Sequence, residues 1–256
     1  MKIDFNGSTV VVTGGATSIG LAISNQLADS GAHVYVCDVL EDQGKKAAED
    51  IRRTGGSAEF RALDVTNEDD WTALASELAN VPMVSGLVNN AGVGGALNVT
   101  EESVDGWNHI INVNQLGVFL GMKHIGPLIE SKGGGGIVNL ASIFSTSGGF
   151  GNAIAYHASK GAVMAMTRTA AVEWSTKGVR VNAIHPGFIG TPMTLQHKDL
   201  VLESGDTLGE MILAGTPMKR LGTPEEIANV VTFMLSPQAS YMTGSSVYVD
   251  GGWSAI

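Results

Sequence analysis

The amino-acid sequence predicts an α/β fold: one doubly wound parallel sheet of seven strands with helices on both faces. Three observations lead there. Short β-branched runs alternate with helically spaced segments from end to end, the pattern that a covered parallel sheet requires. The strand runs are almost wholly apolar, as strands buried on both faces are. A glycine-rich turn, Thr13-Gly14-Gly15-Ala16-Thr17-Ser18-Ile19-Gly20, closes the first strand and opens the first helix. Such a turn lets backbone N–H groups approach a phosphate.

The elements follow in order. Thr9-Val10-Val11-Val12 is the first strand. Leu21, Ile23 and Leu27 have helical spacing and predict a first helix over 19–28. His33-Val34-Tyr35-Val36-Cys37 is the second strand, and 41–53 a polar-faced second helix. The third strand is expected over 60–65, with Thr66 capping the next helix and Asp69 three residues on. Gly86-Leu87-Val88-Asn89 is the fourth strand, and one long helix is expected over 104–129. The fifth strand covers 136–140, a second long helix 156–176, and the sixth strand 179–184. Thr223-Pro224-Glu225-Glu226 supplies an N-cap, a proline in the first turn and a capping glutamate. Tyr248-Val249-Asp250 ends the seventh strand. The stretch 187–218 lacks a strand pattern and holds Met193, Met211 and Met218. Ligands in such sheets sit beyond the carboxyl ends of the strands, so this stretch is expected to lie over the site as a lid.

Composition narrows the function classes. Of 256 residues 44% are hydrophobic and 16% charged, which suits a buried core rather than a disordered chain. A net charge of −10 argues against nucleic acid, whose phosphates need clustered Lys and Arg. No run of about 18 apolar residues is present, so no membrane span is expected. The first residues lack a signal-peptide core, and the single Cys37 excludes an intramolecular disulfide; both fit a reducing cytoplasm.

Two sites carry chemistry. Asp38 ends the second strand, where an acid accepts hydrogen bonds from adenosine ribose hydroxyls. A 2′-phosphate would meet its carboxylate, with no Lys or Arg at Gly15, Ala16, Thr17 or Val39 to neutralise it. The glycine turn and Asp38 together predict NAD rather than NADP. Farther on, Tyr156 and Lys160 sit one helical turn apart on one face. A nearby ammonium favours the phenolate and lowers the tyrosine pKa, as a general acid/base needs. The histidines show no metal-ligand spacing such as HExxH, and no metal is expected.

In this order the motifs resemble the short-chain dehydrogenase/reductase family over nearly the whole chain, and within it the NAD-preferring secondary-alcohol dehydrogenases and carbonyl reductases. Gly14, Thr17, Ser18, Ile19 and Gly20 resemble its TGxxxGxG turn, with Ser18 standing at the usual middle glycine. Asp64 and Val65 resemble its adenine-holding segment, and Asn90, Ala91 and Gly92 its NNAG motif. Pro186, Gly187, Ile189 and Thr191 resemble the segment that grips the nicotinamide. Ser142, Tyr156 and Lys160 match the catalytic serine and YxxxK signature, and Asn114 the asparagine of the long fourth helix. The resemblance implies a Rossmann-like fold and one dinucleotide-binding and catalytic domain over 1–256, with a substrate-loop insertion at about 187–218. It further implies that Tyr156 moves the proton, Ser142 fixes the substrate oxygen and Lys160 holds the nicotinamide ribose. Asn114 would hold, through its backbone carbonyl, a water that links Lys160 to solvent.

The substrate expectation is a small neutral secondary alcohol or its ketone. Ser142, Phe144, Asn152, Tyr156, Phe188 and Met193 are its expected contacts, mostly apolar and without Arg or Lys. A 3-oxoacyl-thioester reductase and a sugar or steroid dehydrogenase remain alternatives. A non-catalytic nucleotide-binding regulator would have no reason to keep Asn114, Ser142, Tyr156 and Lys160 together. The family also implies a homotetramer built on the two long helices, where Gly161, Ala162, Ala165, Ala170 and Ala171 would allow close approach.

Overall fold

The computed structural model describes residues 3–196, 198–201 and 205–256. Seven parallel strands form one sheet: β1 (Thr9–Thr13), β2 (His33–Asp38), β3 (Ser57–Ala62), β4 (Val84–Asn89), β5 (Gly135–Leu140), β6 (Val179–Pro186) and β7 (Ser246–Val249). Their order is β3-β2-β1-β4-β5-β6-β7. The order reverses between β1 and β4, the switch point where such sheets open a ligand crevice.

Alternation along the strands divides the core between two faces. Val11, Tyr35, Leu87, Ile137 and Val181 pack with Trp71, Ile125 and Val163 on one face. Val10, Val12, Val34, Val36, Val88, Val138 and Ile184 pack with Ile23, Leu27, Ile51, Ile227 and Val231 on the other. The helices are α1 (Ser18–Asp29), α2 (Glu41–Arg53), α3 (Glu68–Leu78), α4 (Val104–Ile111), α5 (Gly117–Ser131), α6 (Ile154–Trp174), α7 (Pro192–Leu195), α8 (Leu208–Gly215) and α9 (Pro224–Leu235). Thr223 caps α9 with Glu226 in the reciprocal arrangement its sequence predicts. No helix among the described residues is long and apolar enough to cross a membrane.

Three expectations are corrected. The third strand begins earlier, at Ser57, because β3 is an edge strand and need not be apolar. His33 on β2 bonds Ser57 at 2.7 Å and Glu59 at 3.3 Å, which sets its register. The cap of α3 is Asn67, whose side chain accepts from the Asp69 N–H at 3.1 Å. Thr66 is instead held by Asp64 Oδ1 through its N–H (2.9 Å) and hydroxyl (2.8 Å), an Asx-type turn that delays the helix by one residue. The helix expected over 104–129 is interrupted: Asn112–Leu116 is π-helical. One extra residue per turn there separates α4 from α5, and such widenings occur mostly at functional sites.

The stretch 187–218 holds α7 and α8 and an isolated bridge between Val201 and Thr207, so it is more ordered than its sequence suggested. The lid expectation also falls on His197 and 202–204, which lie outside the described residues.

Candidate active site

The site begins at the glycine turn. Gly14 adopts φ +60° and Gly20 packs so closely that an added Cβ would lie 1.9 Å from the Gly14 carbonyl oxygen. Asn90 staples this turn to β4: its side-chain amide donates to Thr13 O (2.9 Å) and Gly14 O (3.0 Å). Ser18 has φ +50°, a left-handed conformation that costs a non-glycine residue about 1–2 kcal/mol. A glycine there is therefore a conformational requirement that this chain meets with strain. We expect Ser18→Gly to stabilise the fold by about 0.5–1 kcal/mol, strain relief less the greater freedom of glycine in the unfolded chain. Denaturant unfolding at constant m checks it; a loss of stability would contradict the strain.

Asp38 is buried, and its carboxylate accepts from Ala16 N–H and Leu40 N–H, each at 3.1 Å. It thereby ties the glycine turn to the end of β2 and lies in the wall of a cleft of about 610 Å³. Every residue that the sequence assigned to the cofactor lines this one cleft: the turn residues Gly14, Thr17, Ser18, Ile19 and Gly20, then Asp38, Asp64, Val65, Asn90, Ala91 and Gly92, and finally Tyr156, Lys160, Pro186, Gly187, Ile189 and Thr191. Gly187 is there because an added Cβ would stand 2.6 Å from Asp250 Cα. Val39, Leu40, Thr66, His109 and Val113 also line the cleft and were not anticipated. Val39 and Leu40 are large exposed apolar side chains directly after Asp38, a signal the sequence did contain.

At the other end of the cleft, Ser142, Tyr156 and Lys160 come together. Ser142 caps a 3-10 turn (Ile143–Ser145), its Oγ accepting from Phe144 N–H at 3.1 Å. The same hydroxyl faces the Tyr156 phenol and acts to lower its pKa. The Lys160 ammonium is buried, donates to Leu140 O at 2.7 Å and lies 5.8 Å from the Tyr156 ring centroid. Burial lowers Lys160 to about 8. Burial also pushes the Tyr156 phenol above its ordinary value, against the Ser142 hydrogen bond that lowers it. This corrects the expectation that the Lys160 ammonium lowers the tyrosine: the direction found here is upward. Desolvation dominates, and the phenol is protonated at neutral pH.

Asn114 does not line the cleft. It is fully buried in the π-helical turn, accepting from Val93 N–H at 2.8 Å and donating to Val93 O and to Ser159 Oγ. Ser159 in turn donates to Tyr156 O at 2.7 Å. Asn114 thus braces the loop after β4 against the helix that carries Tyr156 and Lys160.

The expected substrate contacts divide. Met193 lines the cleft, and its thioether faces Gly94 across the mouth at 3.6 Å from an added Cβ. Phe144 and Phe188 lie outside the cleft in an aromatic cluster: Phe144 stacks on His157 at 4.6 Å, and Phe188 meets Phe144 at 5.8 Å and Trp253 at 5.0 Å. Asn152 is exposed, and nothing here draws it toward Ser142. Trp253 was missed as a site residue. It also meets Phe150 at 5.8 Å and packs on Gly215, where an added Cβ would stand 2.4 Å from its ring. It therefore joins the end of α8 to the loops after β5 and β6.

A family model described as "Enoyl-(Acyl carrier protein) reductase", of the short-chain alcohol dehydrogenase type, matches residues 14–254. The chain belongs to the short-chain dehydrogenase/reductase family. It is 41% identical over 251 residues to a cyclopentanol dehydrogenase of Comamonas sp. (strain NCIMB 9872), covering 98% of both chains. A galactitol 2-dehydrogenase (L-tagatose-forming) of Cereibacter sphaeroides is 39% identical, covering 97% of this chain and 96% of its own. Among solved structures, one from Beutenbergia cavernae, provisionally named an NAD(P)-dependent gluconate 5-dehydrogenase, was crystallised with NADP at low occupancy. It superposes with a TM-score of 0.92 at 36% identity, covering all of both chains. As a short-chain dehydrogenase/reductase with such relatives, the chain is a hydride-transferring oxidoreductase acting on CH–OH groups.

Proposed function

We propose that this short-chain dehydrogenase/reductase is an NAD-preferring dehydrogenase and ketoreductase of small neutral secondary alcohols and their ketones, cyclic or aryl-substituted. The observation that carries the reading is the convergence of Ser142, Tyr156 and Lys160 at one end of the cleft whose other end holds Asp38. The cofactor suits these residues on physical grounds. Bare backbone at Gly14 and Gly92 forms the cleft wall, the N-terminus of α1 opens into it, and the Asp38 carboxylate offers acceptors to ribose hydroxyls while repelling a 2′-phosphate. When bound, the nicotinamide supplies or accepts the hydride.

The protein's part is proton transfer and positioning. In reduction the protonated Tyr156 phenol gives its proton to the carbonyl oxygen as that oxygen gains charge. The Ser142 hydroxyl donates a hydrogen bond to the same oxygen and stabilises the charge. Lys160 would hold the ribose of a bound cofactor, and its charge would offset the tyrosinate left behind; Asn114 braces the helix that presents both. In oxidation the proton returns to Tyr156.

A neutral apolar substrate is supported by Phe144, Phe150, Phe188 and Trp253, whose rings meet one another at 5.0–6.5 Å beside the cleft. Lys160 is the one Lys or Arg among the described residues lining the cleft, and it is spoken for. The similarity to cyclopentanol dehydrogenase points the same way. A homotetramer in the cytoplasm completes the reading. Phe119 on α5 and Val172 on α6 are exposed apolar side chains suited to an interface, and buried Cys37 is a free thiol. Ala170 and Ala171, expected at that interface, are buried among the core residues of their own chain.

The test is a panel of cyclic and aryl ketones, polyols and 3-oxoacyl thioesters with both cofactors. We expect cyclic ketones to lead, and the NADH specificity constant to exceed that for NADPH about 10²-fold, from like-charge repulsion of about 2.7 kcal/mol. Turnover confined to polyols or thioesters, or a preference for NADPH, would overturn the corresponding part.

A further inference from the structure

His185 lies on β6 beside Tyr248 on β7; the two are register partners and their rings stack at 4.5 Å with planes 23° apart. Each reaches to a different end of the turn that presents Ser142. His185 Nδ1 lies 2.8 Å from the Ser142 carbonyl oxygen, which also receives the Ser145 N–H at 3.0 Å. The Tyr248 hydroxyl lies 3.1 Å from Thr146 Oγ1.

We propose that His185 and Tyr248 form a two-point clamp that positions Ser142 for its role at the substrate oxygen. This deepens the functional reading above and rests on it.

The chemistry of His185 is determined by its partner. A carbonyl oxygen only accepts, so Nδ1 carries the proton and donates. The ring is fully buried, and burial, with Arg168 and Lys160 nearby, outweighs the Ser142 hydrogen bond that acts the other way and holds it below its ordinary pKa and hence neutral. Nε2 is then an acceptor, and it has no hydrogen-bond partner among the described residues. A buried acceptor without a partner costs free energy, so an apolar residue would fill this place more cheaply if packing were its only task. What the histidine adds is a donor aimed at the Ser142 carbonyl from a strand that cannot move without breaking the sheet. Ser142 itself sits on a short 3-10 turn followed by the exposed run Thr146–Gly149, whose own ties are short-range ones such as Ser142 N–H to Ser145 Oγ and Ser147 Oγ to Ile143 O, each at 3.2 Å. Two anchors from neighbouring strands hold both ends of that turn, and a hydroxyl misplaced by about 1 Å can cost two orders of magnitude in rate.

Three variants separate donor from volume. In His185→Asn the amide nitrogen sits at the Nδ1 position and can still donate; His185→Leu keeps bulk and loses the donor; Tyr248→Phe keeps the stack and loses the hydroxyl. Steady-state reduction of a cyclic ketone with NADH and amide hydrogen exchange at Phe144 and Ser145 are the readouts. We expect His185→Leu to lose about 30-fold in kcat with the KM for NADH unchanged, His185→Asn to retain most of it, and Tyr248→Phe to lose about threefold. Exchange at Ser145 quickens in the same order. The clamp is overturned if His185→Leu keeps kcat and exchange within twofold of wild type, or if His185→Asn falls as far as His185→Leu. Should His185→Leu not fold, Tyr248→Phe decides: unchanged kcat and exchange would refute the second anchor and with it the clamp. If the wild-type protein reduces no ketone, the functional reading fails, while hydrogen exchange still tests the clamp.

Discussion

Replacing Tyr156 with phenylalanine is expected to lower kcat for ketone reduction about 10³-fold, or ~4 kcal/mol of transition-state stabilisation. The ring and its place on α6 persist, so Lys160 keeps its bond to Leu140 O and the cleft keeps its shape. What disappears is the proton donor and the partner of the Ser142 hydroxyl. Because desolvation holds the half-buried Tyr156 phenol above its ordinary value and so protonated at neutral pH, the loss should be plain in the reductive direction without raising the pH. NADH affinity, measured by fluorescence titration, should stay within about threefold, since the glycine turn and Asp38 are far from the change. Turnover within tenfold of wild type would show that another group moves the proton.

Gly20→Ala is expected to destabilise the protein by about 3 kcal/mol or more and to abolish tight cofactor binding. The new methyl would stand 1.9 Å from Gly14 O and 2.5 Å from Asn90 Nδ2. Neither can yield. Gly14 O is backbone, and Asn90 Nδ2 is held between the carbonyls of Thr13 and Gly14. The helix must back away from β1, opening the turn that should receive the pyrophosphate. Gly161→Ala is the control: on α6 its methyl meets only Ser145 O at 3.6 Å, and the better helix propensity of alanine should leave stability equal or raised by up to about 1 kcal/mol. Chemical denaturation of both variants measures the contrast, and equal midpoints would refute the close approach at Gly20.

Much of this was legible in the sequence, for identifiable reasons. Apolar runs such as Val10-Val11-Val12 mark strands because a doubly covered sheet leaves them nowhere polar to face. The capping box at Thr223–Glu226 marks a helix start because it satisfies backbone donors locally. Asp38, Tyr156 and Lys160 could be named because a strand end and a helical turn put them at predictable places, whereas Ser142 was named only through the family resemblance. What escaped notice depends on contacts between distant segments. The π-helical turn at Asn114 adds one residue without changing the apolar pattern. The upward direction at Tyr156 comes from burial by the whole fold, which no local spacing encodes. Trp253 reaches Phe188 and Gly215 only because the end of β7 lies beside the end of β6. Pairing of His185 with Tyr248 needs the register of those strands, 63 residues apart in the chain.

The strand order has a consequence for descent. The residues that would choose the cofactor, Asp38 and Asp64, lie on the β3-β2-β1 flank, and those beside the substrate end, Ser142, Phe188 and Trp253, lie past β5, β6 and β7. These flanks are also contiguous blocks of sequence, divided near Gly92. A single crossover between related genes at that point would exchange the alcohol that is recognised and leave the adenosine end of the cleft intact, while the nicotinamide end changes with the substrate side.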